Sequence, residues 1–157
     1  MRSGFVFLIL LLCVPASNSA VGQTRVEAHA CTATGRDYTC DKHSFEEILT
    51  VAKTISVQVP RSDPYSLKQL DKLARSLGKM VRPDSADLAL VLSRTEPDGI
   101  YYGPSDKKLA TIRVYYHGSA NTGGKLVWVE NYFGQPDTAW PITVDHLTRQ
   151  FRKDIQQ

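Results

Sequence analysis

Residues 86–133 contain three strand-like runs: Ala-Asp-Leu-Ala-Leu-Val-Leu-Ser (86–93), Leu-Ala-Thr-Ile-Arg-Val-Tyr-Tyr (109–116) and Lys-Leu-Val-Trp-Val-Glu-Asn-Tyr-Phe (125–133). The first run is apolar on both faces apart from Asp87, as expected of a central strand covered on both sides. The other two alternate apolar and polar residues, which is typical of strands with one wetter face. These runs predict a sheet that the rest of the chain covers or frames.

The flanking segments predict three helices and one more strand. Ser44 and Glu47 form a capping-box pattern at the start of a first helix. Ile55, Val57 and Val59 alternate with polar residues, which predicts a strand over 54–59. Apolar residues recur at helical spacing over 66–77 and 143–155.

The order of these elements predicts an α+β fold. It is a two-layer α/β sandwich with a mixed four-stranded sheet and with helices mainly on one face. The strands at 109–116 and 125–133 should form a hairpin, because a short loop joins them. The strands at 54–59 and 88–92 should be parallel neighbours or near-neighbours, because a helix joins them. The first or the last strand is then expected at an edge.

Composition and the first twenty residues predict an exported single domain. The 157 residues carry a net charge of +3, with 42% hydrophobic and 22% charged residues, which is typical of one globular domain. Arg2, an apolar run and a small-residue exit indicate a signal peptide over 1–20. We expect a mature protein that is periplasmic or extracellular and has no transmembrane segment. The charge is too mild to indicate an anionic membrane or a nucleic acid as a partner, and we expect no nucleic-acid binding.

The cysteines predict a disulfide and no lipid anchor. Cys13 lies in the signal peptide after Leu12, where a lipoprotein signal has a small residue, so we expect a soluble protein. Cys31 and Cys40 form an even pair in an exported chain, which indicates a disulfide. It would hold together an N-terminal extension, 21–43, which precedes a single domain, 44–157. The spacing of the pair does not fit zinc, so no metal or other cofactor is expected.

Three segments carry a resemblance to a known family: Lys53-Thr-Ile-Ser-Val-Gln-Val-Pro60, then Ala86-Asp87 opening an apolar strand, and then Gly-Lys-Leu-Val-Trp128 followed by a C-terminal helix with Phe151. Over residues 50–156 the pattern resembles a family of small bacterial envelope domains of unknown function that are often found on lipoproteins. The resemblance implies an exported mixed α/β domain, and it brings no catalytic residue with it.

No catalytic motif is found in the sequence, so three functions stay open. The first is a non-enzymatic interaction domain of the cell envelope. The second is a small enzyme with a site assembled from dispersed residues such as Asp87, His117 and Asp145. The third is a carrier with a small-molecule pocket between the helices and the sheet.

Aromatic residues favour the interaction domain. Tyrosine and tryptophan are enriched at protein interfaces, which makes Trp140, Trp128 and Tyr132 candidates for partner binding. The last strand carries Glu130 as its one charge within an apolar part, so its edge is poorly defended against pairing. We expect this edge to bind an envelope protein or a second copy, or to be covered by a loop over 134–141 that contains Trp140.

Overall fold

A computed structural model describes residues 31–35, 37–94, 107–117, 123–135 and 138–156. The predicted signal peptide and residues 21–30 of the extension lie outside these ranges. No helix within them is both long and apolar enough to cross a bilayer. The elements are β1 Cys31–Thr34, β2 Asp37–Cys40, α1 Lys42–Val51, β3 Thr54–Gln58, a 3₁₀ turn Pro60–Ser62, α2 Pro64–Ser76, β4 Met80–Val81, β5 Leu88–Arg94, β6 Lys107–Tyr116, β7 Lys125–Gly134 and α3 Trp140–Gln156.

The main sheet is mixed, as predicted, and has the order β4-β3-β5-β6-β7. β3 pairs in parallel with β4 and β5, whereas β5, β6 and β7 are antiparallel neighbours. The predicted hairpin, the parallel pair and the edge position of the last strand are therefore confirmed. The sheet has five strands instead of four, because β4 is only two residues long and too short to show alternation in the sequence.

The core lies between this sheet and the helices. The register aligns Leu88, Leu90 and Leu92 of β5 with residues of β6 on the same face, and all three are buried. Phe45 of α1 and Phe151 of α3 are fully buried in the same cluster. The two-layer architecture is therefore confirmed. All three helices belong to this one core, and on the opposite face of β5 Ala89 is also buried, at 2% exposure, beside Ser56 of β3.

All three helices start at residues other than those predicted, and α2 begins at Pro64 instead of Ser66. Asp41, not Ser44, caps α1, because its carboxylate accepts from the backbone N–H of Ser44 at 2.8 Å. Helix α3 begins at Trp140 and not at Thr143. Pro141 is tolerated there, since the first turn of a helix needs no backbone N–H donor. Trp140 is thus a helix residue and not part of a loop.

A disulfide-bonded hairpin accompanies the edge strand. Cys31 and Cys40 are bonded and are the paired end residues of β1 and β2, within a segment where the sequence shows no periodicity. The hairpin contacts β7, and Asp37 forms an ion pair with Lys108 at 3.0 Å. The hairpin therefore lies beside β7 without extending the sheet. The expectation that Trp140 covers this edge is wrong. Its indole is instead hydrogen-bonded to Asp63 and Ser66 at the start of α2.

Candidate functional site

A shallow groove of about 460 Å³ lies on the outer side of α3, next to the edge strand β7. Positions 146, 149, 150 and 153 of α3 recur at helical spacing and so share one face of the helix. β7 contributes an aromatic ring to the same groove. The lining residues are Tyr132, His146, Arg149, Gln150, Lys153 and Asp154.

Glu130 of β7 lies beside this groove and is 7% exposed. It is paired with Ile112, a core residue, and so faces the helices. The side-chain Nε2 of Gln150 donates to its carboxylate oxygen Oε1 at 2.5 Å. Burial, followed by repulsion from Asp154, raises the pKa of Glu130 to about 7 from an ordinary 4.5. Near neutral pH this carboxyl therefore populates both protonation states.

Trp128 lies in the core next to Glu130 instead of on the surface. It is 8% exposed and stacks on Phe45, with ring centroids 4.9 Å apart. Its indole Nε1 is close enough to Glu130 to lower the pKa of that carboxyl. Within the described residues, however, this N–H makes no hydrogen bond of normal geometry. Trp128 therefore supports the site from inside and offers little surface to a partner.

Tyr132 is the one predicted aromatic that lines the groove. Its ring lies parallel to that of His146, with centroids 5.4 Å apart and an interplanar angle of 7°. Gly134 gives this ring its space, since a Cβ there would be 3.0 Å from Cε1 of Tyr132 and 3.1 Å from Leu109. The stacked pair forms one wall of the groove, half-buried on the strand side and exposed on the helix side.

Trp140 links the starts of two helices. Its Nε1 donates to Asp63 at 2.8 Å and to Ser66 at 3.0 Å. The guanidinium of Arg94 lies 5.5 Å from its ring centroid, in cation–π range. The hydroxyl of Ser66, with help from Trp140 and the amide of Tyr65, lowers the pKa of Asp63 despite an opposing effect of burial. These bonds give Trp140 a structural role, while contact with a partner stays a prediction.

The three residues of the enzyme hypothesis do not form one site, because Asp87 and His117 are neighbours but Asp145 lies elsewhere. Asp87 accepts hydrogen bonds at its Oδ2 from the amides of Lys53 at 2.8 Å and Thr54 at 2.9 Å, at the start of β3. His117 is nearby and donates its backbone N–H to the carbonyl of Asp87 at 2.7 Å. Asp145 instead accepts from Tyr65, which follows the far end of β3. Burial alone would raise the pKa of Asp87, but these amides and the Thr54 hydroxyl outweigh it and lower that pKa.

The space between the helices and the sheet is filled by the core cluster. Besides the α3–β7 groove, a second groove of about 380 Å³ lies on the outer side of α2. Both grooves are on the surface, which gives the carrier hypothesis no support within the described parts of the chain. The same parts contain no group of three His, Cys, Asp or Glu residues arranged to hold a metal.

Glu130 was not predicted as a site residue, although the sequence contains a signal for it. Trp128, Glu130 and Tyr132 are spaced by two along one strand and therefore share a face. If Trp128 faces the core, Glu130 must do so as well. Arg149, Gln150 and Lys153 carried no signal of their own, because polar residues on a surface helix are the usual case.

No protein-family model and no curated protein matches this chain. Among solved structures, the chain is similar to a minor lipoprotein from Acinetobacter baumannii, with 16% sequence identity. The alignment covers 67% of this chain and 91% of that one, with a TM-score of 0.37. Similarity at this level carries no information about shared function. Membership of the envelope-domain family stays a prediction.

Proposed function

We propose that this chain is an exported domain of the bacterial cell envelope that binds a partner protein through the α3–β7 groove. The observation that supports this best is Glu130, a carboxyl buried beside an open groove and held by a hydrogen bond from Gln150. Ionisable groups with strongly shifted pKa values mark functional sites more often than other positions do. The signal-peptide pattern and the Cys31–Cys40 disulfide support export, because disulfides persist in oxidising compartments.

The chemistry of the groove favours binding over catalysis. Arg149 and Lys153 offer charged donors, Asp154 offers an acceptor, and the Tyr132–His146 pair offers a flat aromatic wall. Such a mixed surface suits polar and aromatic contacts with another protein. An enzyme would need a nucleophile and a base oriented together, and the described residues around the groove show no such arrangement.

The proposal is tested by affinity capture from envelope extracts with quantitative mass spectrometry. The test variant is Arg149→Glu with Lys153→Glu. The control is Lys42→Glu with Lys125→Glu, which makes the same charge change on α1 and at the start of β7. We expect the wild type and the control to capture a common protein, and the test variant to retain roughly a tenth or less of it, since each reversed contact charge costs a kcal/mol or more. Equal capture by all three proteins contradicts the proposal.

A further inference from the structure

The positive charge of the chain is concentrated in one segment. Residues 64–82, which comprise α2 and β4, contain five basic residues and one acidic residue, Asp71. The whole chain has a net charge of only +3, so the remainder is slightly acidic. The excess positive charge therefore lies on one side of the domain, where β4 forms the sheet edge opposite β7. The basic residues are Lys68, Lys72, Arg75, Lys79 and Arg82.

One of these residues has an internal role, three point outwards from α2, and Arg82 is exposed just after β4. The ammonium of Lys79 donates to the carbonyl oxygens of Leu49 and of Ala52, the latter at 2.8 Å, and so caps the end of α1. Lys68, Lys72 and Arg75 are exposed and line the outer groove of α2, together with Asp71. The ion pairs found among the described residues use none of these three side chains.

An apolar side chain lies among these charges. The spacing of leucines in the sequence places Leu67 on the buried side of α2, but its side chain is 42% exposed, while Leu73 is fully buried. The helix is rotated because Ser66 takes the inward position and bonds to Asp63 and Trp140. Leu67 consequently lines the basic groove. Met80 of the neighbouring strand β4 is also exposed, at 60%.

We propose that the outer face of α2 docks on the surface of a lipid bilayer that contains anionic phospholipid. Lys68, Lys72 and Arg75 contact the headgroup phosphates, and Leu67 enters the boundary between headgroups and acyl chains. Basic residues that surround exposed apolar side chains on a helix are characteristic of interfacial binding. Leu67, exposed beside these charges, adds an apolar contact that the boundary between headgroups and acyl chains accepts together with the phosphate contacts.

This proposal is independent of the α3–β7 groove. The groove lies beside β7, at one edge of the sheet, and α2 contacts β3 and β4 at the other edge. The two surfaces share no residue, although α2 and α3 pack against each other on the same face of the sheet.

Vesicle sedimentation tests the proposal with the protein from residue 21 onwards. Vesicles of phosphatidylglycerol should bind the wild type and vesicles of phosphatidylcholine should not. Binding should weaken as salt rises from about 0.05 M to about 0.5 M, because the charges are screened. Lys68→Gln with Lys72→Gln should reduce partitioning about 25-fold, at roughly fivefold for each neutralised charge.

Two further variants make the test specific. Lys42→Gln with Lys125→Gln removes the same charge elsewhere and should bind phosphatidylglycerol as the wild type does. Leu67→Gln should weaken binding at unchanged charge. Equal loss in the α2 variant and the charge-matched control would overturn the proposal, because it would indicate net charge and not this face. Absence of vesicle binding by the wild type, with or without capture of an acidic protein, would overturn it as well.

Discussion

The side-chain amide of Gln150 in α3 donates to the carboxyl of Glu130 in β7 across 2.5 Å, and so joins the last helix to the edge strand at a buried ionisable group. The bond holds the groove wall in place whether Glu130 is protonated or not, since Oε1 accepts in both states. It does not compensate for burial, because the pKa of Glu130 still reaches about 7. The domain therefore keeps a carboxyl that is costly to ionise, which has consequences for stability.

Glu130 should make the free energy of unfolding fall as pH rises. Between its ordinary pKa of 4.5 and its folded value of about 7, the folded state holds a proton that the unfolded state has lost. Stability from this group is therefore full below pH 4.5 and is lost as pH rises towards 7. The loss should be about 3–4 kcal/mol, at 1.36 kcal/mol for each unit of pKa shift.

Glu130→Gln tests this prediction, because the amide keeps the acceptor for Gln150 and cannot ionise. Urea unfolding at pH 5 and pH 8 should show a smaller decrease for the variant than for the wild type. Subtracting the stability change of the variant from that of the wild type removes the contribution of all other titrating groups. If both lose the same stability between the two pH values, Glu130 is not shifted in the folded domain.

Asp87 should contribute strongly to stability through the start of β3. Asp87→Ala leaves the amides of Lys53 and Thr54 without their acceptor, which should cost about 2–3 kcal/mol in denaturant unfolding. The control is Asp84→Ala, an exposed neighbour whose loss should change stability by no more than about 0.5 kcal/mol. Because the pKa of Asp87 is lowered from 3.8, its contribution should be present above that pH and disappear as pH falls through the folded value. Equal effects of the two variants would contradict this role.

Trp140→Phe should destabilise the domain without affecting partner capture. The variant keeps a ring near Arg94 but removes the N–H that bonds Asp63 and Ser66, at a cost of about 1.5–3 kcal/mol for a bond to a charged group. Thermal unfolding measures the first effect and affinity capture the second. Unchanged stability together with lost capture would contradict this prediction. It would indicate that Trp140 contacts the partner, as its residue type suggests.

The Cys31–Cys40 disulfide should stabilise the hairpin more than the sheet. Replacing both cysteines by serine removes the constraint on a short loop, worth roughly 2–3 kcal/mol at most in the chain-entropy model. Hydrogen exchange should accelerate in β1 and β2, which form their own two-stranded sheet, and stay slow in β5 and β6. Acceleration throughout the main sheet would show that the hairpin is required for the whole fold. In the wild type, both cysteines should resist thiol labelling until they are reduced.

Local sequence signals predicted the central elements well because these elements are regular. The leucines of β5 and the alternation in β6 and β7 were sufficient to place three strands, their pairing and an edge. β4 has two residues, and β1 and β2 are exposed strands held by a disulfide, so neither place shows a hydrophobic period. The start of α3 was placed late because Pro141 looks like a helix breaker, although it is acceptable in a first turn.

The candidate site was harder to predict because it depends on contacts between distant segments. Glu130 and Gln150 are twenty residues apart, and only the packing of α3 on β7 brings them together. Leu67 has the spacing of a core residue, but the bonds of Ser66 turn it outwards. An amphipathic pattern indicates which residues share a helix face. It does not determine how far the helix is rotated about its axis, so a residue at the border of the face can point inwards or outwards.

Site-specific photo-cross-linking in cells that make the protein tests the central claim most directly. A photoreactive amino acid is placed at Arg149 in the groove and, as the control, at Glu46 on the exposed side of α1. We predict a discrete cross-linked adduct from position 149 and none from position 46, and its mass would distinguish a foreign protein from a second copy. Absence of an adduct at position 149, or equal adducts at both positions, would contradict the assignment of the α3–β7 groove as a binding site.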